Sequence, residues 1–373
     1  MKWIFWGSAA VIGYTYAGYA GWLWLRSHWR TRPVKRESCT PQLSIVMVIR
    51  NEAAVFERKL QNLSALNYPS ELREIIVVSD GSTDATNDIL SRWSDQAGLR
   101  VILRPHSEGK ASGLNAAIEI AQGEIVVFTD ARQIIAPNAL LLLAENFADP
   151  TVGCASGELI LGDPESGEST RGMGLYWRIE KKIRELESAT GSVPGATGAL
   201  YAVRRSLLVP LPAETILDDV YIPMHAARQG SRTIFDSRAI AWDEPNLGAG
   251  REFARKVRTL SGNYQLVQLA PWLLTRQNPL RFEFISHKLL RLAAPLALIA
   301  TLISAAFIPQ AFYRVALVLQ IGFYTLSILA IPRRGRGPLA RIADASLTFV
   351  ILNTAALIAF MNFATGKKTV WLR

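Results

Sequence analysis

The chain has 373 residues, half of them hydrophobic, and a mean hydropathy of +0.16. That is too apolar for an ordinary soluble enzyme and places part of the chain in lipid. Its 41 Lys+Arg against 31 Asp+Glu give a net charge of +10, which suits anionic lipid or a polyanionic ligand better than nucleic acid, since no basic helix or aromatic-interleaved basic patch is present.

Trp3 to Leu25 carries no charge and is long enough for a helix crossing a bilayer core of about 30 Å. A cleavable signal peptide competes with this reading, because only Met1 and Lys2 precede the run and Ala17, Ala20 and Gly21 lie near its end. The anchor is preferred, since the run is too long for a signal h-region and Arg26, Arg30, Arg32, Lys35 and Arg36 follow directly. These residues, with Arg333, Arg334, Arg336 and Arg341 between two later apolar runs, are expected to flank the membrane on its cytoplasmic side. Cys39 and Cys154 have no metal-ligand spacing, and no disulfide is expected in that reducing compartment.

From Leu43 the chain alternates strand and helix signals: LSIVMVI, a helix over about 55–66, EIIVVS, a helix over 84–93, a short VIL strand, a helix from Lys110, and EIVVFT. The alternation implies right-handed crossovers and a mostly parallel, Rossmann-like α/β sheet. A polar stretch from Asp163, an amphipathic helix over 176–186, a Gly-rich strand entry at 195–203 and a helix after Asp218 are expected to build the acceptor side of a cleft. Gly262 to Leu290, broken by Pro271 and Pro279, suits helices at the membrane surface, and three spans follow over 292–308, 312–331 and 342–363. With the tail Lys367, Lys368 and Arg373 then outside, four spans meet one objection from the positive-inside rule. The expected division is an anchor over 1–27, a globular domain over 40–262, interfacial helices over 263–291 and a membrane region over 292–373.

The segment EIIVVSDGSTDAT holds a carboxylate, Asp80, at the end of a doubly buried strand, where Gly81 permits a sharp turn and Thr83 or Asp84 can cap the next helix. That edge of an α/β sheet is where ligands bind, so Asp80 is placed to receive a nucleotide base or ribose, although an ordinary strand-to-helix turn fits the segment by itself.

RNEA at 50–53, SDGSTD at 79–84, GKASGLN at 109–115, FTDA at 128–131 and LDD at 217–219 resemble, in order and approximate spacing, the family 2 inverting glycosyltransferases of GT-A fold. YWRIE at 176–180, GATGALYAVRR at 195–205 and SHKLLR at 286–291 resemble patterns of the membrane polysaccharide synthases in that family. The resemblance implies Asn51, Glu52 and Asp80 at the nucleotide, Lys110 and Asn115 at the phosphates, Asp130 at a Mg²⁺ or Mn²⁺ ion, and Asp219 as general base. Arg255 and Arg258 stand where processive members carry Gln-x-x-Arg-Trp and would clamp the diphosphate, but the Gln and Trp are missing. Arg132 occupies the third position of the Asp-x-Asp motif, which puts the metal in question. Read locally, Asn51 and Glu52 also fit a helix cap, Lys110 a solvated lysine, Asp218 and Asp219 a capped helix start, and the two arginines a membrane-facing stripe.

The expected function is transfer of a sugar from a nucleotide-sugar donor to a hydroxyl of a lipid-linked or growing polysaccharide acceptor, by a multi-pass cell-membrane protein whose catalytic domain is cytoplasmic. Lipid is an expected partner and nucleic acid is not. An inactive scaffold of the same fold is the alternative; a transporter is disfavoured because the spans carry almost no ionisable residues.

Overall fold

The computed structural model describes residues 1–95, 98–162, 175–244, 249–330 and 338–366. The polar stretch from Asp163, the basic loop at Arg333, Arg334 and Arg336, and the tail with Lys367, Lys368 and Arg373 lie outside the described residues.

Uninterrupted β-branched runs fold as strands with no solvent face. β1 (Leu43–Ile49) and β4 (Ile125–Thr129) are buried at every position, and β2 (Arg73–Asp80) at its last six. With β3 (Leu99–Arg104) they stack parallel in the order β3-β2-β1-β4, joined through α3 (Ala53–Ser64), α4 (Thr86–Trp93) and α5 (Lys110–Ile120). The chain leaves β1 toward β2 and β3, then returns to the other side of β1 as β4. This reversal leaves a crevice at the carboxyl ends of β1, β2 and β4.

The second half adds β5 (Ile134–Ile135), α6 (Ala139–Glu145), β6 (Val152–Leu161), α7 (Leu175–Thr190), β7 (Leu200–Arg204), α8 (Asp218–Arg228) and β8 (Arg232–Asp243). Among the described residues the strand order is β3-β2-β1-β4-β7-β6-β8-β5. β7 runs antiparallel to both neighbours and β5 antiparallel to β8, while β6 and β8 are parallel, so four of the seven pairings are parallel. Apolar clusters fill both faces of the sheet, one under α3, α4 and α6, the other under α5 and α8.

A long helix, α9 (Ala249–Leu269), runs through residue 262, where the globular domain was expected to end. Gly262 is not a breaker. A Cβ there would lie 2.6 Å from Leu217 Cγ, so this glycine lets α9 lie directly on the turn before α8. The expected interfacial segment is likewise divided. A 3₁₀ turn, Pro271–Leu274, follows α9, and the helix of the first span already starts at Arg281, ahead of the expected 292.

Among the described residues three helical stretches are long and apolar enough to cross a membrane: Arg281–Phe307, Ala311–Ile328 and Ile342–Ala364, with mean hydropathies of 1.9, 1.4 and 1.9. The first comprises α10 (Arg281–Glu283), a π-helical turn (Phe284–Leu289) and α11 (Leu290–Phe307); the others lie in α12 (Ala311–Ala330) and α13 (Pro338–Ala364). Phe307, Val318, Leu319 and Ile328 are each at least 65% exposed, as lipid-facing residues are. The N-terminal helix is built from α1 (Lys2–Gly13), a π turn (Tyr14–Gly18) and α2 (Tyr19–Arg26). It joins the same bundle: Phe5 packs edge-on to Tyr313 (4.8 Å), and Tyr16 donates to Asn353 Oδ1 (3.0 Å). Its Trp, Tyr and Gly residues set it apart from the more aliphatic C-terminal three.

Candidate active site

The loops after β1 and β2 are locked to each other. Asn51 adopts φ +55°, the only positive φ of a non-glycine among the described residues. Asn tolerates that region because its short polar side chain bonds locally. Here the Thr83 N–H donates to Asn51 Oδ1 (2.8 Å), and the Asn51 N–H donates to Ser82 Oγ (3.2 Å). Asp84 accepts from the N–H of Ala53, which opens α3, and from the N–H of Thr86, which opens α4. One carboxylate thus serves two helix N-termini, a role the sequence indicated for α4 alone.

Asp80 is almost fully buried at the end of β2. Its oxygens accept from Ser107 Oγ (2.7 Å), the Gly109 N–H (2.9 Å), the Glu108 N–H (3.0 Å) and Arg104 (3.4 Å). Burial pushes its carboxyl up, but these bonds outweigh burial and hold it below the ordinary range. Four donors fill a carboxylate's lone pairs. In this structure Asp80 orders the 107–109 loop. Gly81 completes the device with φ +67°, for any Cβ would lie 2.5 Å from Ser107 N.

Asn115 was also expected at the phosphates. Instead its amide brackets one backbone unit, donating to Leu211 O and accepting from Leu211 N, both at 2.8 Å. One N–H and one lone pair of that amide are thus spent on the fold.

Lys110 begins α5 immediately after the loop that Asp80 orders. Its ammonium lies 3.1 Å from Asp130 Oδ1 and 3.2 Å from Asp218 Oδ1. Burial disfavours its charge, but Asp130 and Asp218 more than compensate, so Lys110 stays protonated. Asp218 is buried and also accepts from Tyr201 Oη (3.2 Å). Behind Asp130, fully buried Lys59 donates to Thr129 Oγ1 (2.9 Å) and Gln133 O (2.7 Å). Glu52 faces this end of the cleft: burial raises its carboxyl, Arg132 opposes, and Asp130 adds to the rise.

Asp218 and Asp219 are consecutive on α8, so their side chains diverge by about 100°. Asp219 points away from Lys110's pairings, toward the GATG loop, where a Cβ on Gly198 would lie 3.2 Å from Asp219 Oδ2. That loop is held by Arg184, which donates to Thr197 Oγ1, and by Ser156 Oγ, which accepts from the Thr197 N–H (2.9 Å) and from Arg184 (2.8 Å). Burial first and Asp218 second push the Asp219 carboxyl up to about 6, against the pull of Lys110 and Lys288. A carboxylate titrating there is suited to take a proton near neutral pH.

Arg255 pairs with Glu252 (2.8 Å) and reaches Asp243 (3.6 Å), which also accepts from Gln133 (3.2 Å). This chain of contacts ties α9 to the segment just after Asp130. Arg258 lies one turn further along α9.

YWRIE and SHKLLR, distant in sequence, meet in space. His287 lies between Glu180 (2.9 Å from Nε2) and Glu187 (2.8 Å from Nδ1), while Arg291 donates to Glu180 and to Tyr176 Oη, both at 2.9 Å. Tyr19 of the N-terminal helix donates to Glu187 (2.6 Å). Burial would raise the Glu180 carboxyl, but Arg291 and His287 hold it well below the usual range.

A divalent cation would find a poor donor set at Asp130. The third motif position is Arg132, one of Asp130's two carboxylate oxygens is engaged by an ammonium, and among the described residues no group of three or more His, Cys, Asp or Glu side chains is arranged to hold a metal.

Residues 44–209 match the family model "Glycosyl transferase family 2". The beta-monoglucosyldiacylglycerol synthase of a Synechocystis strain is 30% identical over 186 residues, covering 48% of this chain and 39% of that protein. The poly-beta-1,6-N-acetyl-D-glucosamine synthase of Staphylococcus aureus is 24% identical over 234 residues, covering 60% of this chain and 55% of that one. The chain thus matches about half or less of the length of these relatives. Among solved structures, the mannosyltransferase PcManGT from Pyrobaculum calidifontis, in complex with GDP-Man and Mn²⁺, superposes with a TM-score of 0.75 over 97% of this chain and 99% of that one, at 23% identity, a likeness of fold. Residues 44–209, a little under half of the chain, thus resemble glycosyl transferase family 2, and the sheet is the GT-A fold.

Proposed function

We propose that the protein is a membrane-bound inverting glycosyltransferase that moves a sugar from a nucleotide-sugar donor to a hydroxyl of a lipid-linked or growing polysaccharide acceptor. The observation that carries this reading is the divergence of Asp218 and Asp219. The first anchors the cation that also grips Asp130, and the second is a half-buried carboxyl raised to about 6 beside a glycine loop.

In a single displacement the acceptor oxygen bonds to the anomeric carbon as the bond to the donor phosphate breaks. Asp219 takes the hydroxyl proton, and the electron pair leaves with the nucleoside diphosphate. Lys110 stands where departing charge needs a counter-charge, and Arg132 lies close enough to act on the Glu52 carboxyl in the same crevice. Asn51 and Asp80 act indirectly, by fixing the loops that present Glu52 and Lys110. Arg255 and Arg258 would close the crevice from α9. The expected Mg²⁺ or Mn²⁺ is carried by no step here, because the donor set at Asp130 does not fit one.

Three apolar helices, the exposed apolar residues along them and the N-terminal helix packed among them support a multi-pass protein. The Arg/Lys cluster at 26–36 supports a cytoplasmic catalytic domain. The test is release of nucleoside diphosphate and labelled lipid or polymer when reconstituted protein meets a panel of nucleotide sugars. Protease digestion of 40–290 from the outer face of sealed, oriented vesicles would overturn the topology.

A further inference from the structure

Arg184 stands where α7 meets the loop that flanks Asp219. Its guanidinium donates to Thr197 Oγ1 in that GATG loop and to Ser156 Oγ of β6 (2.8 Å), and lies 4.5 Å from the centre of the Phe235 ring of β8. Ser156 Oγ also accepts from the Thr197 N–H (2.9 Å), so the three residues close a triangle of hydrogen bonds. An arginine's planar fork fixes two oxygens in one geometry, which a lysine on its flexible stem does not.

The loop so held is packed on Asp219. The Ala196 N–H donates to the Asp219 carbonyl oxygen (2.7 Å), and a Cβ on Gly198 would lie 3.2 Å from Asp219 Oδ2. Asp219 is half-buried, and this loop covers one flank of it. α7 is itself fixed from behind. Glu180 and Glu187, four residues before Arg184 and three after it on the same helical stripe, are taken by His287 and Arg291 of the first span and by Tyr19 of the N-terminal helix. Arg184 thus reaches the loop from a helix that the membrane bundle holds.

We propose that Arg184 is a positioning residue for transfer: with Ser156 it clasps the GATG loop against Asp219 and so fixes the direction from which that carboxylate meets the acceptor hydroxyl. The proposal rests on the transferase reading. Arg184 acts through Thr197 and not on the reacting atoms. Around the Asp219 carboxylate, Asp218 and Asp130 repel its charge while Lys110, Lys288 and Arg184 attract it. Burial is the largest influence on it, and the loop supplies part of that burial.

The first arm of the test needs no substrate. With the full chain in nanodiscs, the infrared band of the protonated Asp219 carboxyl, isolated by subtraction of Asp219→Asn, is followed against pH. The native group should titrate near about 6. Arg184→Lys keeps the charge but not the fork, and Thr197→Val keeps the shape of the loop but not its hydroxyl. Each should admit water to the covered flank and lower the midpoint by at least about half a pH unit. The double variant should move little further than Arg184→Lys, because hydroxyl and guanidinium act through one contact. A midpoint unchanged or raised in either single variant that still unfolds cooperatively would overturn the proposal. If Arg184→Lys does not fold, Thr197→Val decides. In the second arm turnover is read at about pH 8, where the carboxylate is ionised in all of these proteins, with UDP-GlcNAc and GDP-mannose as trial donors. There kcat should fall at least about 10-fold in Arg184→Lys, with UDP or GDP affinity unchanged. Native kcat in that variant would mean that the loop covers the base without aiming it, which also overturns the proposal. If neither donor is turned over, the infrared midpoints alone judge the clasp. A native protein that binds neither UDP nor GDP would instead sink the transferase reading.

Discussion

The two edges of the cleft are built on different plans. The donor edge comes from successive strand–helix turns of one half-sheet, where each motif touches the next: Asn51 and Asp84 lock the first two loops, Asp80 shapes the third, and Lys110 spans to Asp130 and Asp218. The membrane edge is assembled from parts remote in sequence, with Tyr19, Glu180, Glu187, His287 and Arg291 in one buried network. On the donor edge the central cation, Lys110, is paired directly with two carboxylates; on the membrane edge Glu180 is shared by His287 and Arg291. In the first arrangement the cleft's own carboxylates supply the counter-charge, whereas in the second the charged groups join the first membrane span to α7. Asp219 lies between them and feels a lysine of each, Lys110 and Lys288.

Asp219→Asn should have the largest effect, because it removes the group on which both edges act. Turnover should fall by about 10² to 10⁴, the usual loss of general-base assistance, with nucleoside diphosphate affinity near native. Its raised pKa sets the sign of the pH dependence. The base works only when ionised, so kcat/KM should be lost as pH falls through about 6, well above the ordinary carboxylate range. Asp218→Asn removes a repelling neighbour and should move that acid limb to lower pH. Normal turnover in Asp219→Asn would reduce LDD to a helix start and send the search for the base to Glu180.

Arg132→Asp tests the donor edge. It would give Asp130 a second carboxylate two residues along, and hard divalent cations take such oxygen ligands. Calorimetric titration should show Mn²⁺ affinity rising by at least about 10-fold over the native protein. Asp130→Ala should abolish transfer in both backgrounds, since Lys110 then loses one of its two anchors. Mn²⁺ affinity unchanged by Arg132→Asp would show that a second carboxylate at this position cannot reach the site.

Much of the donor edge could be read from the sequence, because its residues sit at fixed offsets from strand ends: three apolar runs end at or just before Asn51, Asp80 and Asp130. What could not be read was which atoms each residue spends on the fold. Asp80 and Asn115 carry motif positions, yet their hydrogen-bonding capacity goes to backbone loops that sequence does not bring near. Lys59, with no motif signal, lies buried behind Asp130. Gly262 looked like a boundary because close approach by Leu217, 45 positions earlier in the numbering (262 − 217), leaves no local trace. The membrane edge was visible only as two short patterns whose union depends on the tertiary fold.

Asn115→Ala separates folding from donor binding. Deleting its amide leaves the N–H and C=O of Leu211 unpaired and should cost about 1–3 kcal/mol of stability, read as a lower unfolding midpoint in detergent. Donor KM at a permissive temperature should stay near native. A large KM rise at unchanged stability would return Asn115 to the phosphates.

The smallest expected effect concerns Lys59, and it asks whether the floor under the donor edge is as dry as its packing implies. Burial pushes the Lys59 ammonium down to about 7, only partly opposed by Asp130. In the unfolded chain a lysine titrates at about 10.4. Between these values the unfolded state holds a proton that the folded state does not, so stability rises with pH from about 7 toward 10 and is flat in this term below 7. The slope cannot exceed about 1.4 kcal/mol per pH unit for one proton. Lys59→Met removes the titration while keeping the apolar stem, so other groups cancel when the two proteins are compared. The midpoint of the native protein should gain on that of Lys59→Met between pH 7 and 9 and hold a constant offset between pH 6 and 7. A constant offset across the whole range would mean that water reaches Lys59 and that Asp130 stands on a wet, adjustable floor.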